Sequence, residues 1–510
     1  MKQILQSPWL PITILALADL GMIGGLLPRT TSFLLAFIAI AYILTAPRSS
    51  TVFFVLASLP LAPALPIPGF DTFALWRPLV LAYALREAAA HRAFLRTPFK
   101  KLCRLILPYE WLGLAIFALA GLSLPFALDP TAGLRKLVFL ANAALLYIVL
   151  RGLLWETPTL RASVLRGLLA ALGILLLVGA AQYITTAFVS LFDFWQGWAL
   201  DAIPVFYGEE LGNVLSASNT WFSYYADAPP TLRMFSLLPD SHSFGLLMVL
   251  GFLLAAAPFV VSKENSRWRD RWLILVFGLA IFLSGSRGLW ISAVPAALAA
   301  FACAAWWQRH RLPQRALGRT VMGIFALFFL LFPFASAISS RAQGVGAEDT
   351  RANLAFERAK SIFDLEELSN RSRIGIWLTG LKSVAGHPLL GVGFGNTAVA
   401  LDEDVAAARR GASAHNLYLD FSVELGVLGG LLSVAFFLAL LQRFGLPWLR
   451  NASLQYFHTF SLLFALGIVW IAAYNLVDVV LLNDRALLVF LAILALVASP
   501  SYRQNHENRV

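Results

Sequence analysis

The sequence predicts an all-α polytopic membrane protein of about 12–14 transmembrane helices, and three observations predict it. Of its 510 residues, 59% are hydrophobic and only 13% charged, where a soluble domain carries about a quarter charged residues. The mean hydropathy is +0.74. Long apolar runs recur from one end of the chain to the other. Disorder is excluded by the 13% aromatic content, and a disulfide framework by a total of two cysteines, Cys103 and Cys303.

About 17 to 25 apolar residues cover the roughly 30 Å of a bilayer's hydrocarbon at 1.5 Å per residue. Fourteen stretches qualify: 9–27, 31–46, 51–66, 72–86, 107–127, 136–153, 163–188, 242–261, 272–286, 288–306, 321–338, 416–441, 458–481 and 485–500. Pro60, Pro63, Pro66 and Pro68 interrupt the third and fourth, and Arg77 sits in the fourth, so these two read as broken or re-entrant, which would leave twelve. The first stretch follows Lys2 without a small-residue cleavage site and reads as a retained helix. The organisation expected is therefore N-terminal helices over 1–189, an acidic aromatic loop at 190–241, helices over 242–338, a large loop at 339–415 and C-terminal helices over 416–510.

Lysine and arginine stay in short cytoplasmic loops. With the N-terminus inside and strict alternation, the inside segments hold 23 of the 39 basic residues and the short outside turns hold six, namely Arg29, Arg77, Arg135, Lys136, Arg287 and Arg485. Both termini are thus expected in the cytoplasm and both long loops on the periplasmic side. The net charge of +11 and pI near 9.9 are a topogenic signal, and nucleic-acid binding is not expected.

The first long loop carries six acids against the single Arg233, and many aromatics, among them Trp195, Trp198, Trp221 and Phe235. Such rings suit an interfacial belt at headgroup depth or, alternatively, stacking on sugar faces. In the second loop a helix is plausible from Arg351 to Leu368. After it Ile374, Trp377, Leu381 and Val384 form an apolar stripe expected to lie on the outer membrane boundary. The Gly391-Val-Gly-Phe-Gly-Asn396 segment follows no strand and has the wrong glycine spacing for a dinucleotide loop, so it reads as a turn.

Five polar residues stand out. Arg287, in Ser284-Gly-Ser-Arg-Gly288, defies the positive-inside bias, and an arginine drawn into a bilayer costs about 2.5 to 3.5 kcal/mol. A headgroup phosphate or a bound anionic substrate would compensate. Arg373 opens the amphipathic stripe on the same face. His415 starts the twelfth stretch, and Asp420 and Glu424 lie four apart on one face below it. At nine residues from His415, Glu424 is about 13 Å away along a helix, which suits helix packing. Gly426 and Gly429 thin that helix so that a neighbour can approach.

These residues resemble a known family. His415-Asn416, nine residues, Gly426, two residues and Gly429 are similar to the signature of the O-antigen ligase and Wzy-type polymerase superfamily. So are the Ser-Arg-Gly turn at 286–288, Arg373 and Trp377 followed by His387-Pro388 and the glycine-rich run, and Arg233-Met-Phe-Ser followed by Asp240 to Gly245. The resemblance covers roughly 230–430. It implies a GT-C-like glycosyltransferase of the bacterial inner membrane, acting at the periplasmic face with inversion and without a metal or other cofactor. Its donor would be a glycan on undecaprenyl diphosphate, and its acceptor a hydroxyl of a glycan or lipid. On that reading His415 is the base, Arg287 and Arg373 bind the diphosphate, and Arg233, Asn416, Trp377 and Glu424 support them. The chemistry agrees, since two guanidiniums form bidentate bonds to a diphosphate where Mg²⁺ would otherwise serve, and imidazole suits proton abstraction. No cysteine or histidine cluster for zinc and no clear acidic cage stands outside. The alternatives are a polymerase extending lipid-linked repeats and a polytopic transporter or lipid-linked glycan flippase. The latter would place ionisable residues at midplane and show a repeat between halves.

Overall fold

The computed structural model describes residues 7–69, 73–90, 106–218, 220–225, 228–261, 267–310, 315–342, 364, 368–402, 413–447 and 456–499. Over these the chain is an all-α polytopic membrane protein. Each of the fourteen apolar stretches meets a helix, in order: α1 Trp9–Ile23, α2 Thr31–Thr45, α3 Arg48–Ala57, α4 Trp76–Ala90, α5 Pro108–Ser123, α6 Pro130–Glu156, α7 Arg161–Thr185, then Ser241–Val261, Arg267–Leu283, Arg287–Arg309, Arg315–Ala342, Leu417–Phe444, Tyr456–Tyr474 and Asp484–Ala498. Among the described residues, seven helices are long and apolar enough to cross a membrane on length and composition alone. The helix expected from Arg351 to Leu368 lies outside the described residues apart from its end.

Proline decides the third and fourth stretches as expected. After α3 the chain makes a 3-10 turn at Leu59–Leu61, then two short antiparallel strands, Ala64–Leu65 and Phe73–Ala74, before α4. The thirteenth stretch is corrected more sharply, because its helix ends at Tyr474 and not at 481, and residues 475–483 form a loop with one 3-10 turn. That loop matters to the site.

Two ends of the bundle separate cleanly. At one end Arg86 holds the carbonyls of Ile43 and Ala46 with the hydroxyl of Thr51, and Arg151 pairs with Glu110 at 2.8 Å. At the other, Trp76 donates to Asp484 at 3.1 Å, and buried Arg485 donates to the carbonyls of Leu59 and Ala62 while stacking over Tyr207. Trp76 and Arg86 are ten residues apart on α4, about 15 Å along its axis. The described parts of both long loops gather at the Asp484 end.

The first loop is folded rather than spread on a surface. Helices Leu191–Gly197, Ile203–Tyr207 and Glu209–Ser216 and a hairpin of Phe222–Tyr225 with Ala228–Leu232 enclose an aromatic cluster. Trp221 and Phe235 stack at 4.2 Å between centroids, and Phe194 and Trp198 pack against Phe235. Those rings form a small core of their own, so neither a membrane belt nor a sugar platform describes the buried members. Phe188 and Phe192 remain exposed beside it.

In the second loop the helix Leu368–Gly386 lies against the helix Leu417–Phe444, where Gly380 faces Leu419 and Val423. Ile374, Leu378 and Leu381 point away and are exposed. The glycine-rich turn that follows is a wedge. Its three glycines, Gly391, Gly393 and Gly395, all take positive φ, and the turn bonds Val392 N–H to the carbonyl of Val423 and Gly393 N–H to that of Glu424. Gly426 is the reciprocal feature: with φ 71° it breaks its helix, and its neighbour Val427 donates to the carbonyl of Pro388. Glycine therefore admits a neighbour here by breaking the helix as well as thinning it.

Candidate functional site

The site is assembled where four helix ends meet, and its centre is a carboxylate in the short loop before the last helix. Asp478 Oδ1 accepts from the N–H of Val479 at 2.8 Å. Its Oδ2 accepts from His242 Nδ1 at 2.5 Å and from the hydroxyl of Tyr474 at 3.2 Å. Tyr474 has its proton committed there, so it accepts from Ser286 Oγ at 3.0 Å, which ties in the turn that carries Arg287. On the other side His242 Nε2 lies 3.5 Å from Arg233 Nη1. Arg233 Nε donates to Ser223 Oγ at 2.7 Å.

Local structure fixes each member. Arg233 is held by its own N–H on the carbonyl of Trp221 and by Met234 N–H on that of Leu283. Its stem crosses Gly285, at φ 67°, where a Cβ would come within 2.9 Å of Arg233 Cγ. Gly288 leaves room in the same way for Val477 and Tyr474. Asp240, directly ahead of the helix Ser241–Val261, accepts from Ser243 N–H and Oγ, both at 2.7 Å, and from Asn483 at 3.2 Å, joining the first loop to the loop of Asp478. Burial raises the Asp240 carboxyl and nearby His242 opposes the shift.

His415 is set by its flanks. The indole of Trp377 donates to the carbonyl of Ala414 at 3.0 Å, Asp420 accepts the Ala414 N–H at 2.7 Å, and Leu417 N–H reaches the carbonyl of Asn475 at 2.8 Å. Asn416 is the N-cap of the helix, accepting from the N–H groups of Tyr418 and Leu419 at 3.1 Å each. Between these anchors His415 takes φ 47°, the left-handed region, a strained setting for a residue with a side chain. Its Nδ1 is buried with no hydrogen-bond partner among the described residues.

Electrostatics bind the parts together. Burial pushes the Asp478 carboxyl upward, but His242, then His415 and Arg373, more than reverse this and hold it below the usual carboxylate range. Burial lowers the pKa of His415. Asp478 opposes that, and Arg373 and His242 add to it. The net shift favours the neutral imidazole, the form with a lone pair to offer.

Of the residues singled out in the sequence, Arg373 and His415 thus share one electrostatic field, Arg233 meets it through His242, and Arg287 sits on the turn bonded to Tyr474. Asn416 and Trp377 shape the backbone at His415. Glu424 stands apart: it receives Lys136 Nζ at 2.7 Å and Thr397 Oγ1 at 3.0 Å, locking the helix Leu417–Phe444 to α6. Sequence reasoning gave no role to His242, which it quoted only within a longer segment, and placed Asp478 inside a span. The signal available was the polar series Asn475, Asp478, Asn483 and Asp484 in an otherwise apolar run. Among the described residues, no group of three or more His, Cys, Asp or Glu could hold a metal ion.

No curated protein matches the chain. Residues 272–434 match the family model described as O-antigen ligase, a segment that holds Arg287, Arg373 and His415, although His242 and Asp478 flank it. Over that segment the chain is similar to the O-antigen ligase family.

Proposed function

We propose that this protein transfers a glycan from an undecaprenyl-diphosphate carrier to an acceptor hydroxyl at the periplasmic face of the bacterial inner membrane, as an O-antigen ligase does. The observation that carries the proposal is the buried carboxylate of Asp478, hydrogen-bonded to His242 and Tyr474 and placed where Arg373 and the protonated form of His415 would both be attracted to it. Neutral His415 takes the proton of the acceptor hydroxyl as the oxygen attacks the anomeric carbon. The anomeric bond to the diphosphate breaks from the opposite side, giving inversion. Asp478 then faces the imidazolium that forms. Negative charge develops on the departing diphosphate, where Arg373 and Arg287 meet it through charge-assisted, bidentate bonds, so the step needs no metal ion. Arg233 is a third guanidinium beside the turn of Arg287.

The same chemistry serves a polymerase that uses a second lipid-linked repeat as acceptor, and product length separates the two. The test is transfer by purified protein from an undecaprenyl-diphosphate-linked glycan, in EDTA and then with Mg²⁺. Transfer that is undiminished in EDTA and lost in Arg287→Ala is expected. Strict dependence on Mg²⁺ or Mn²⁺ would overturn the arginine assignment.

A further inference from the structure

Arginine carries five donors and no acceptor. The contact between Arg233 Nη1 and His242 Nε2 is a hydrogen bond when Nε2 keeps its lone pair and His242 holds its proton on Nδ1, where Asp478 accepts it. The three side chains form one directed chain, Arg233 to His242 to Asp478. Its two ends are rigid. Ser223 fixes Nε of Arg233 and the backbone bonds of 233 and 234 fix its stem, while Asp478 is held by Val479 and Tyr474. The stem of the arginine so held lies over Gly285, two residues before Arg287. His242 keeps 22% of its side chain accessible, yet both of its nitrogens already have partners.

We infer that His242 is a positioning residue for the donor: through Nε2 it orients the Arg233 guanidinium toward the diphosphate, and Asp478 sets the tautomer that makes this possible. The inference rests on the donor reading above. An imidazole fixed in this way costs no reorganisation when the anion arrives. Removing it would leave the charge of Arg233 in place but take away one anchor of its head group, which weakens bidentate recognition of a diphosphate more than it weakens simple attraction.

The experiment is equilibrium binding of farnesyl diphosphate, as a short prenyl diphosphate probe, to the full chain in detergent, with thermal stability checked for each variant. Arg233→Ala and His242→Phe are each expected to weaken binding by about tenfold. His242→Gln, whose amide oxygen can accept from Arg233, is expected to recover most of the loss. In transfer assays His242→Phe should raise the KM for donor by more than it lowers kcat. The pair Arg233→Ala with His242→Phe should bind no worse than Arg233→Ala alone, since His242 acts only through the arginine. A further tenfold loss in the double variant, or normal binding in stably folded His242→Phe, would overturn the inference while leaving the donor site intact. Normal binding in Arg233→Ala, Arg287→Ala and Arg373→Ala alike would remove the donor site itself, and this inference with it.

Discussion

The indole N–H of Trp377 ends on the carbonyl of Ala414, 3.0 Å away, and so fixes the residue before His415 from a different helix. Trp377→Phe keeps most of the ring but deletes the donor, at a cost of about 0.5 to 1.5 kcal/mol. The expected result is a transfer rate lowered by roughly tenfold through misplacement of the imidazole, with donor affinity unchanged. A fall in donor affinity instead would make Trp377 part of the donor site.

Burial and the nearby Arg373 hold the pKa of His415 below its ordinary value, near 6.5 in a model peptide. A base with a lowered pKa stays deprotonated further into acid, so the acid limb of kcat/KM should fall below that value. Arg373→Gln removes a repelling positive charge and should move the limb upward. Asp478→Asn removes an attracting negative charge and should move it downward. The pH dependence of transfer checks both signs, and a limb indifferent to both substitutions would show that His415 does not govern it.

Glu424 has a different fate from its neighbours. Its carboxylate is buried against Lys136, and removing one partner of such a pair costs roughly 3 to 5 kcal/mol. Glu424→Ala should lower membrane yield and melting temperature, while the protein that does fold keeps its specific activity. Normal stability with lost transfer would return Glu424 to the mechanism.

Gly426 gives a sterically sharper case. A Cβ there would lie 2.4 Å from the carbonyl oxygen of Pro388 and 2.6 Å from that of Leu389, at a φ of 71°. Gly426→Ala should separate the glycine-rich wedge from the broken helix and prevent accumulation in the membrane, whereas Gly375→Ala, where nothing lies within 4 Å, should be tolerated. Quantitative membrane fractionation compares the two.

The spans were legible because burial in lipid leaves one strong mark, apolar length, and polarity at helix ends exposed Arg287, Arg373 and His415. Asp478 was hidden by the same mark, since Val479-Val480-Leu481-Leu482 extends the apolar run past the true helix end at Tyr474. His242 and Asp478 are 236 residues apart, and nothing in one sequence pairs them. The aromatic loop misled for a related reason. Exposed and buried rings have one composition, and only tertiary packing, such as Trp221 on Phe235, tells them apart. Gly391 to Gly395 read as a turn, but what they make room for is a backbone far along the chain.

The central claim is that His415 removes the acceptor's proton. Purified His415→Ala with normal thermal stability and normal donor affinity should transfer glycan about 10² to 10⁴ times more slowly than the unsubstituted protein. Transfer at a rate close to that of the unsubstituted protein, in a sample that passes both controls, would contradict it.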